Sequence, residues 1–315
     1  MRGLTEREIP VGLIPASSHP ALTMGAETAF GLRKRAGVLH YCADTGPLVR
    51  TRTPSVVTVH GVASRWINVA RTSRQESTWR QRVNRAISST QALITVSESS
   101  ADDVADIFNL DRSEIVVIPH GVDFEKFATR VDLSAELKER LPVEFALYLG
   151  NIEPRKNLVE LSGAFGQNAP GGLPLVVAGR QAWNFEESEA AFAANSNIIR
   201  VGYVSDQDRR ALLQRATVFV FPSLYEGFGF PVLEALAAGT PVVTSRRGAL
   251  AEVAGPSWTT DDLSANGIRE AVDCALRDDE WLRGIGKAGQ RWATTFNWDR
   301  SVEAHIALYE RVAGL

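Results

Sequence analysis

Cysteine is scarce: Cys42 and Cys274 are the two in 315 residues. They lie far apart and form no Cys-x-x-Cys. That leaves no basis for a disulfide framework or a thiolate zinc site, and reduced core thiols in a cytoplasmic protein are expected. Long apolar runs are missing too. None approaches the ~18 residues that a membrane-spanning helix needs. The opening Met1-Arg2-Gly3-Leu4-Thr5-Glu6-Arg7-Glu8 is too charged for the apolar region of a signal peptide. Internal repeats and low-complexity segments are absent, so solenoids and linker-rich architectures fall away. Neither sign of charge dominates, and a net charge of −3 gives no general attraction to nucleic acid. His120, in the turn Pro119-His120-Gly121-Val122-Asp123, has no second His or Cys at ligand spacing, so no metal site is expected there.

What remains is an ordinary α/β composition, 44% apolar and 23% charged. It can fill two cores at ~150 residues per domain. One stretch organises the chain. Thr217-Val218-Phe219-Val220-Phe221 is short, β-branched and aromatic, and reads as a buried strand ended by Pro222-Ser223. Pro231 stands where a first helical turn tolerates proline, and Gly239 where helices stop. Thr240 to Ser245 is a second strand. A strand–loop–helix–strand unit implies a parallel sheet with helices on its faces.

Chemistry is expected in the loop of this unit. Gly227 and Gly229 carry no side chain, so backbone N–H groups can approach a ligand. The helix start beyond them favours a phosphate or a sugar hydroxyl. Glu226 and Glu234, with seven residues between them, frame the loop. Carboxylates accept from paired hydroxyls such as those of a hexose or a ribose. Equally, Glu226 fits a solvated loop acid, and Glu234 a residue that complements the helix dipole.

Other segments read by the same rules. Val11 to Pro15 and Val38 to Tyr41 are short strands, with a helix from Gly25 to Arg35 between them. Ser55 to His60 is a buried strand, and His60 lies at its carboxyl end, where α/β proteins bind ligands. Ala92 to Ser97, Ile115 to Ile118, Phe145 to Gly150, Leu173 to Gly179 and Ile198 to Val204 are further strands. Ser99 or Ser100 is expected to cap the helix after Ser97. Asn157 with Glu160 has capping-box spacing. Asp206 and Asp208 start a helix that runs to Arg215. Arg65, Arg71, Arg74, Arg80, Arg82 and Arg85 form a basic region opposed only by Glu76. It is either a solvated helix face or a surface for an anionic membrane. Arg155 and Lys156 in a strand-end loop suit a diphosphate, one as a fork and the other as a point charge, or else plain solvated surface. Gly284-Ile285-Gly286-Lys287-Ala288-Gly289 spells a dinucleotide fingerprint, but no strand precedes it, so it is set aside.

The run Glu226-Gly227-Phe228-Gly229-Phe230-Pro231-Val232-Leu233-Glu234 is joined by Tyr203, Pro222, Ala238-Gly239, Glu252-Val253-Ala254-Gly255 and the loop Gly150 to Asn157. Together they resemble glycosyltransferase family 4, the retaining nucleotide-sugar transferases of the GT-B fold. The resemblance covers roughly Leu39 to the C-terminus. It implies an α/β protein of two Rossmann-like domains facing across a cleft. Residues 1–140 would form the acceptor side and 141–298 the donor side, with 299–315 a terminal helix crossing back. The implied reaction moves a hexose from a nucleotide diphosphate sugar to a hydroxyl of a glycan or lipid-linked acceptor, in surface polysaccharide or glycoconjugate synthesis. Stereochemical retention is implied, with no metal or other cofactor.

The same resemblance distributes roles. His60 would reach the donor sugar and Glu226 would bind its hydroxyls; these two are the candidate catalytic residues. Arg155 and Lys156 fall on the two diphosphate-binding cations. Gly227, Phe228 and Gly229 fall on the loop that receives the donor, and Glu234 on the ribose-binding acid. Tyr203 and Val204 fall on the segment beside the base, which acts mainly through backbone. No Asp-x-Asp motif that would hold a metal–diphosphate complex is seen. Glu153-Pro154-Arg155-Lys156-Asn157 is most similar to mannosyltransferases, which favours GDP-mannose over UDP-glucose. An inactive donor-binding partner subunit stays open, as does an epimerase or phosphorylase of the same fold.

The family pattern opens with a strand, a glycine-rich loop and a helix, and several strand–helix pairs then precede the histidine. Here His60 comes early, Ala16-Ser17-Ser18-His19-Pro20 holds no glycine, and Gly25 stands alone. The first domain is therefore expected to be shortened by about two strand–helix units, whether through a late start codon, a clipped gene or a natural minimal form. A cytoplasmic location follows, with peripheral membrane contact through the Arg65–Arg85 region.

Overall fold

The structure is a computed structural model in which residues 2–14, 20–67 and 72–314 are described. Backbone contacts gather the chain into two compact units, Met1–Gly121 with Asn297–Leu315, and Val122–Phe296.

Among the described residues, the first unit is built on four strands in the order β1-β2-β3-β4: Leu39–Tyr41, Ser55–Val59, Ala92–Thr95 and Ile115–Val117. Every pairing is parallel, with Val57 opposite Leu93 and Leu93 opposite Ile115. Strand β2 is buried on both faces, as expected of a parallel sheet covered by helices. Its side chains alternate. Val57 and Val59 pack with Trp79 and Val83 of the helix Ser73–Ser89 and with Val104 of the helix Glu98–Phe108. Val56 faces the other way, with Ile94, Ile118 and Leu308. Leu308 belongs to the terminal helix Trp298–Ala313, which is thus part of this unit's core.

The second unit holds six strands, all parallel, in the order β10-β9-β8-β5-β6-β7. They are β5 Ala146–Leu149, β6 Leu175–Ala178, β7 Ile198–Gly202, β8 Val218–Phe221, β9 Val242–Ser245 and β10 Trp258–Thr260. Strand order reverses between β5 and β8. In a doubly wound sheet, ligands bind outside the carboxyl ends of the strands at such a switch point.

Several expectations are corrected. Val11 to Ile14 form no strand, and Pro15 lies outside the described residues. The following helix is Pro20–Gly31, ending earlier than Arg35 because the carbonyl of Arg33 and the N–H of Arg35 bond Thr53 Oγ1 instead. The helix Glu98–Phe108 is capped by Ser97, whose side chain accepts from the Ser100 N–H, not by Ser99 or Ser100. Ser97 is the first hydroxyl beyond the strand and still has the extended backbone that a cap needs. The first unit ends at Gly121 rather than at residue 140. Residues 122–140 are tied into the second unit through Val131 N–H to Gln214, Ser134 N–H to Asp208 and the Lys126–Asp206 ion pair. Both cysteines are exposed rather than in a core. The Gly284–Gly289 segment lies inside the helix Asp279–Ala293, where Gly289 fits against Leu236. Among the described residues, no helix is long and apolar enough to cross a membrane.

Candidate active site

The two loops at the switch point carry the predicted charges. Strand β5 is followed by Gly150 to Glu153 and a single turn, Pro154–Lys156. Tyr148 Oη anchors this loop by donating to the Asn151 carbonyl at 2.8 Å. Strand β8 leads to Glu226. Because Ala146 pairs with Val218 and Leu147 with Phe219, the loops after these strands are neighbours. The Leu224 N–H joins them by donating to the Arg155 carbonyl at 2.9 Å.

Glu226 accepts from both cations. Lys156 Nζ donates to its Oε1 at 2.5 Å and Arg155 Nη1 to its Oε2 at 2.7 Å. Arg155 also donates to Glu153 Oε1 from Nε at 3.1 Å and Nη2 at 2.6 Å, and to the Tyr225 carbonyl from Nη1 at 3.1 Å. Lys156 and Glu226 are each only 6% exposed. The solvated-surface alternatives for Lys156 and Glu226 therefore fail. Burial alone would raise the Glu226 carboxyl, but Lys156 and Arg155 together hold it below its usual range, so it is ionised. Burial pulls the Lys156 ammonium below its usual range, with Glu226 opposing. The Phe221 ring lies 4.8 Å from Nζ. The backbone of Glu226 is fixed as well. Ala249 N–H donates to its carbonyl at 2.9 Å, and a Cβ on Gly248 would stand 2.5 Å from that oxygen.

Beside this cluster, glycines Gly150, Gly179 and Gly202 mark the ends of β5, β6 and β7. Gly179 has φ +149°, and a Cβ there would lie 1.7 Å from the Gly150 carbonyl oxygen. Its N–H donates to Gly202 O at 2.8 Å. The strand ends thus pack backbone to backbone. Tyr203 follows, 67% exposed, with the Arg180 guanidinium 3.8 Å above its ring. Val204 is half-buried next to it.

The helix Phe230–Ala237 begins at Gly229, which has φ +108° and no side-chain cap. Phe228 is buried against Phe230 and Phe296, so its ring belongs to the core and only its backbone is suited to a ligand. Glu234 is buried and both its oxygens accept from Arg209 Nη1 at 3.1 Å. Burial pushes its carboxyl up to about 7 against the pull of Arg209. The expected capping box is not formed. Asn157 is left-handed at φ 59° and its amide donates to Leu263 O, while Glu160 accepts from the Ala265 N–H. Asp206-Gln207-Asp208 does have Asp-x-Asp spacing, which the sequence reading passed over. Asp206 pairs with Lys126, whereas Asp208 accepts from Ser134 N–H and Ser205 Oγ. Among the described residues, no group of three metal-binding side chains is found.

In the first unit His60 follows β2. Its N–H donates to Asp44 Oδ1 at 2.9 Å and its Nε2 to the Cys42 carbonyl at 2.7 Å. A carbonyl only accepts, so Nε2 carries a proton. The His120 ring stacks at 5.7 Å. The basic region is less free than its composition implies. Arg71 lies outside the described residues. Arg65 pairs with Asp103 and Asp106, and Arg80 with Glu76. Arg82 is half-buried with Nε on Met24 Sδ, and Arg74 and Arg85 are exposed.

Sequence reasoning missed Glu153, Arg209, Gly248 and Asp44. Glu153 stands two residues before Arg155, a spacing that carries no periodic signal. Arg209 and Gly248 come from other loops and helices, and only the fold brings them in.

Comparison with known proteins agrees with this architecture. The model described as Glycosyl transferases group 1 matches residues 130–292, and that described as Glycosyltransferase Family 4 matches residues 9–126. The chain is 29% identical over 250 residues to the O-antigen chain mannosyltransferase B of Escherichia coli, covering 72% of this chain and 62% of that protein. It is 33% identical over 237 residues to the serotype-specific mannosyltransferase WbdA of Escherichia coli, covering 69% of this chain and 28% of that one. It thus spans less than two thirds of the length of either relative. Among solved structures, the sucrose-phosphate synthase of Thermosynechococcus elongatus superposes with a TM-score of 0.77 at 20% identity, over 94% of this chain and 78% of that one. That likeness concerns the fold. Two parallel-sheet units, the paired-acid helix and both family matches agree that the chain belongs to glycosyltransferase family 4, with the Rossmann-like units of the GT-B fold.

Proposed function

We propose that this chain transfers a hexose, with retention and without a metal, from a nucleotide diphosphate sugar to a hydroxyl of a glycan or lipid-linked acceptor. The observation that carries this reading is the convergence of Arg155, Lys156 and Glu226 at the switch point of the second unit. Two fixed cations there can stabilise the charge that develops on a departing diphosphate, a preorganised electrostatic role. Glu226 takes sugar hydroxyls, Glu234 the ribose diol, and the backbone of Gly227 to Gly229 the donor loop contacts. Tyr203 and Val204 stand beside the base. His60 is the residue of the first unit assigned to the donor sugar. The names of the two mannosyltransferase relatives, one of them an O-antigen chain enzyme, favour mannose as the hexose and a polysaccharide chain as the product, and GDP-mannose is the donor we propose for it. Arg74, Arg80 and Arg85 provide the peripheral contact with an anionic membrane.

The test compares GDP and UDP with guanosine and uridine in calorimetry. Arg155→Ala and Lys156→Ala should each weaken the better diphosphate by roughly 1.5–3 kcal/mol, the range for a charge-assisted hydrogen bond. The matching nucleoside should bind nearly unchanged, and sugar transfer should fall. Equal losses for nucleoside and diphosphate would show that these residues do not read phosphate.

A further inference from the structure

The cations proposed to hold the diphosphate are already occupied. Of the five N–H groups of the Arg155 guanidinium, Nε serves Glu153, Nη1 serves Tyr225 O and Glu226, and Nη2 serves Glu153, leaving one on Nη2. Lys156 is buried against Glu226 and the Phe221 ring. Arg155, Lys156, Glu153 and Glu226 sum to zero charge. An incoming diphosphate therefore meets a neutral cluster whose inner anion is Glu226.

We propose that Glu226 is an internal competitor of the diphosphate that yields to the intact donor and not to the spent nucleotide. The inference rests on the donor-site reading above and concerns what distinguishes substrate from product there. Glu226 is buried, and a buried carboxylate stripped of its partners carries a large penalty. When the diphosphate takes Arg155 and Lys156, Glu226 needs other donors. The hydroxyls of the attached hexose supply them. A nucleoside diphosphate without its sugar brings none, so its binding leaves Glu226 with only the neutral Ser223 hydroxyl in place of two cations. Once the hexose has left for the acceptor, Glu226 reclaims both cations and the nucleotide dissociates. The partner exchange involves no bond making beyond hydrogen bonds. It makes the site selective for the loaded donor and drives product release.

The geometry limits what can relieve this competition. The Glu226 backbone is held by the Ala249 N–H and by its bridge to Gly248, so the residue cannot swing away as a unit. Only the side chain can turn from the cations. Glu153 differs, since its carboxylate holds Arg155 from the other edge of the guanidinium and does not bridge the two cations. Removing Glu153 takes away charge without removing the competitor that bridges both cations.

The experiment measures affinities for GDP, UDP, GDP-mannose and UDP-glucose on the full chain, with guanosine and uridine as controls. In Glu226→Gln the better nucleoside diphosphate should bind roughly tenfold or more tightly, the worth of one charge-assisted hydrogen bond. The matching nucleotide sugar should gain nothing, so the preference for donor over product collapses. Glu153→Gln should shift donor and product alike. Glu226→Asp, which keeps the charge but is too short to bridge both cations, should move in the same direction as Glu226→Gln and serves if that variant does not fold. Unchanged or weaker diphosphate binding in the Glu226 variants overturns the proposal. So does an equal gain for donor and product, which would be general charge repulsion. If Arg155→Ala leaves diphosphate binding intact, the donor-site reading itself fails, a result separate from these.

Discussion

Glu234 gives the sharpest dependence on pH. Burial lifts its carboxyl from 4.5 to about 7, even though Arg209 sits on both oxygens. Between those values the folded chain holds a proton that the unfolded chain has released. Stability from the neutral acid is therefore fully present below 4.5 and is lost as pH rises through about 7. The span is worth roughly 3 kcal/mol, at about 1.4 kcal/mol per pH unit. Ligand binding runs the other way. A ribose diol donates to a carboxylate, and the ionised form accepts best. Nucleoside affinity should therefore rise by up to about tenfold per pH unit between about pH 5 and 7, and flatten above.

The assay is calorimetry of guanosine and uridine from pH 5 to 8, run in two buffers of different ionisation heat. Near pH 7 binding should release about half a proton, since Glu234 is then half-ionised and binding completes its ionisation. In Glu234→Gln, affinity should be low and independent of pH, and the proton release should vanish. A flat profile in the unsubstituted chain would refute the reasoning. So would a slope that persists in the glutamine variant, because some other group would then be titrating.

Acid should loosen the first unit. His40 donates or accepts at Tyr309 Oη and Thr58 Oγ1 at 2.6 and 2.7 Å, and burial, with His305 and His60 nearby, holds its pKa at about 3. Such a depressed histidine contributes stability above its ordinary 6.5 that is lost as pH falls toward 3, by up to about 1.4 kcal/mol per unit. Denaturant titrations at stepped pH should show this slope, His40→Gln should flatten it, and an unchanged slope in that variant would count against the assignment. Gly179→Ala combines a left-handed backbone with a 1.7 Å collision on Gly150 O. It should destabilise the second unit by roughly 2–6 kcal/mol, adding backbone strain to overpacking; a urea midpoint equal to that of the unsubstituted chain would show that the strand ends can part.

The parts of the fold legible in the sequence were those governed by local rules. Ser55–Val59, Ala146–Leu149 and Val218–Phe221 are buried on both faces, so their apolar runs needed no partner to be recognised. The helix Phe230–Ala237 was marked by Pro231 and Gly239, one fitting a first turn and the other following a last. Boundaries failed where a backbone group had two suitors. Thr53 took the groups that would have prolonged the helix Pro20–Gly31, and Ser97 reached the cap before Ser99 or Ser100. The unit boundary near Gly121 was invisible because the bonds from Val131 and Ser134 reach residues far along the chain.

Residue identity in the candidate site was legible for the same reason, and residue pairing was not. Arg155 and Lys156 are adjacent, and Glu226 and Glu234 share one turn-and-helix segment, so each pair could be read as a local unit with its own ligand. The sheet order cuts across that division. By setting β8 beside β5 it joins Glu226 to the cations and leaves Glu234 with Arg209. Charges that would be free in solution are then compelled by burial to satisfy one another when no ligand is bound. A ligand at this site must therefore be described by the protein bonds it replaces as well as by those it makes. Glu226, held at both oxygens by two different cations, is where we propose that this exchange occurs.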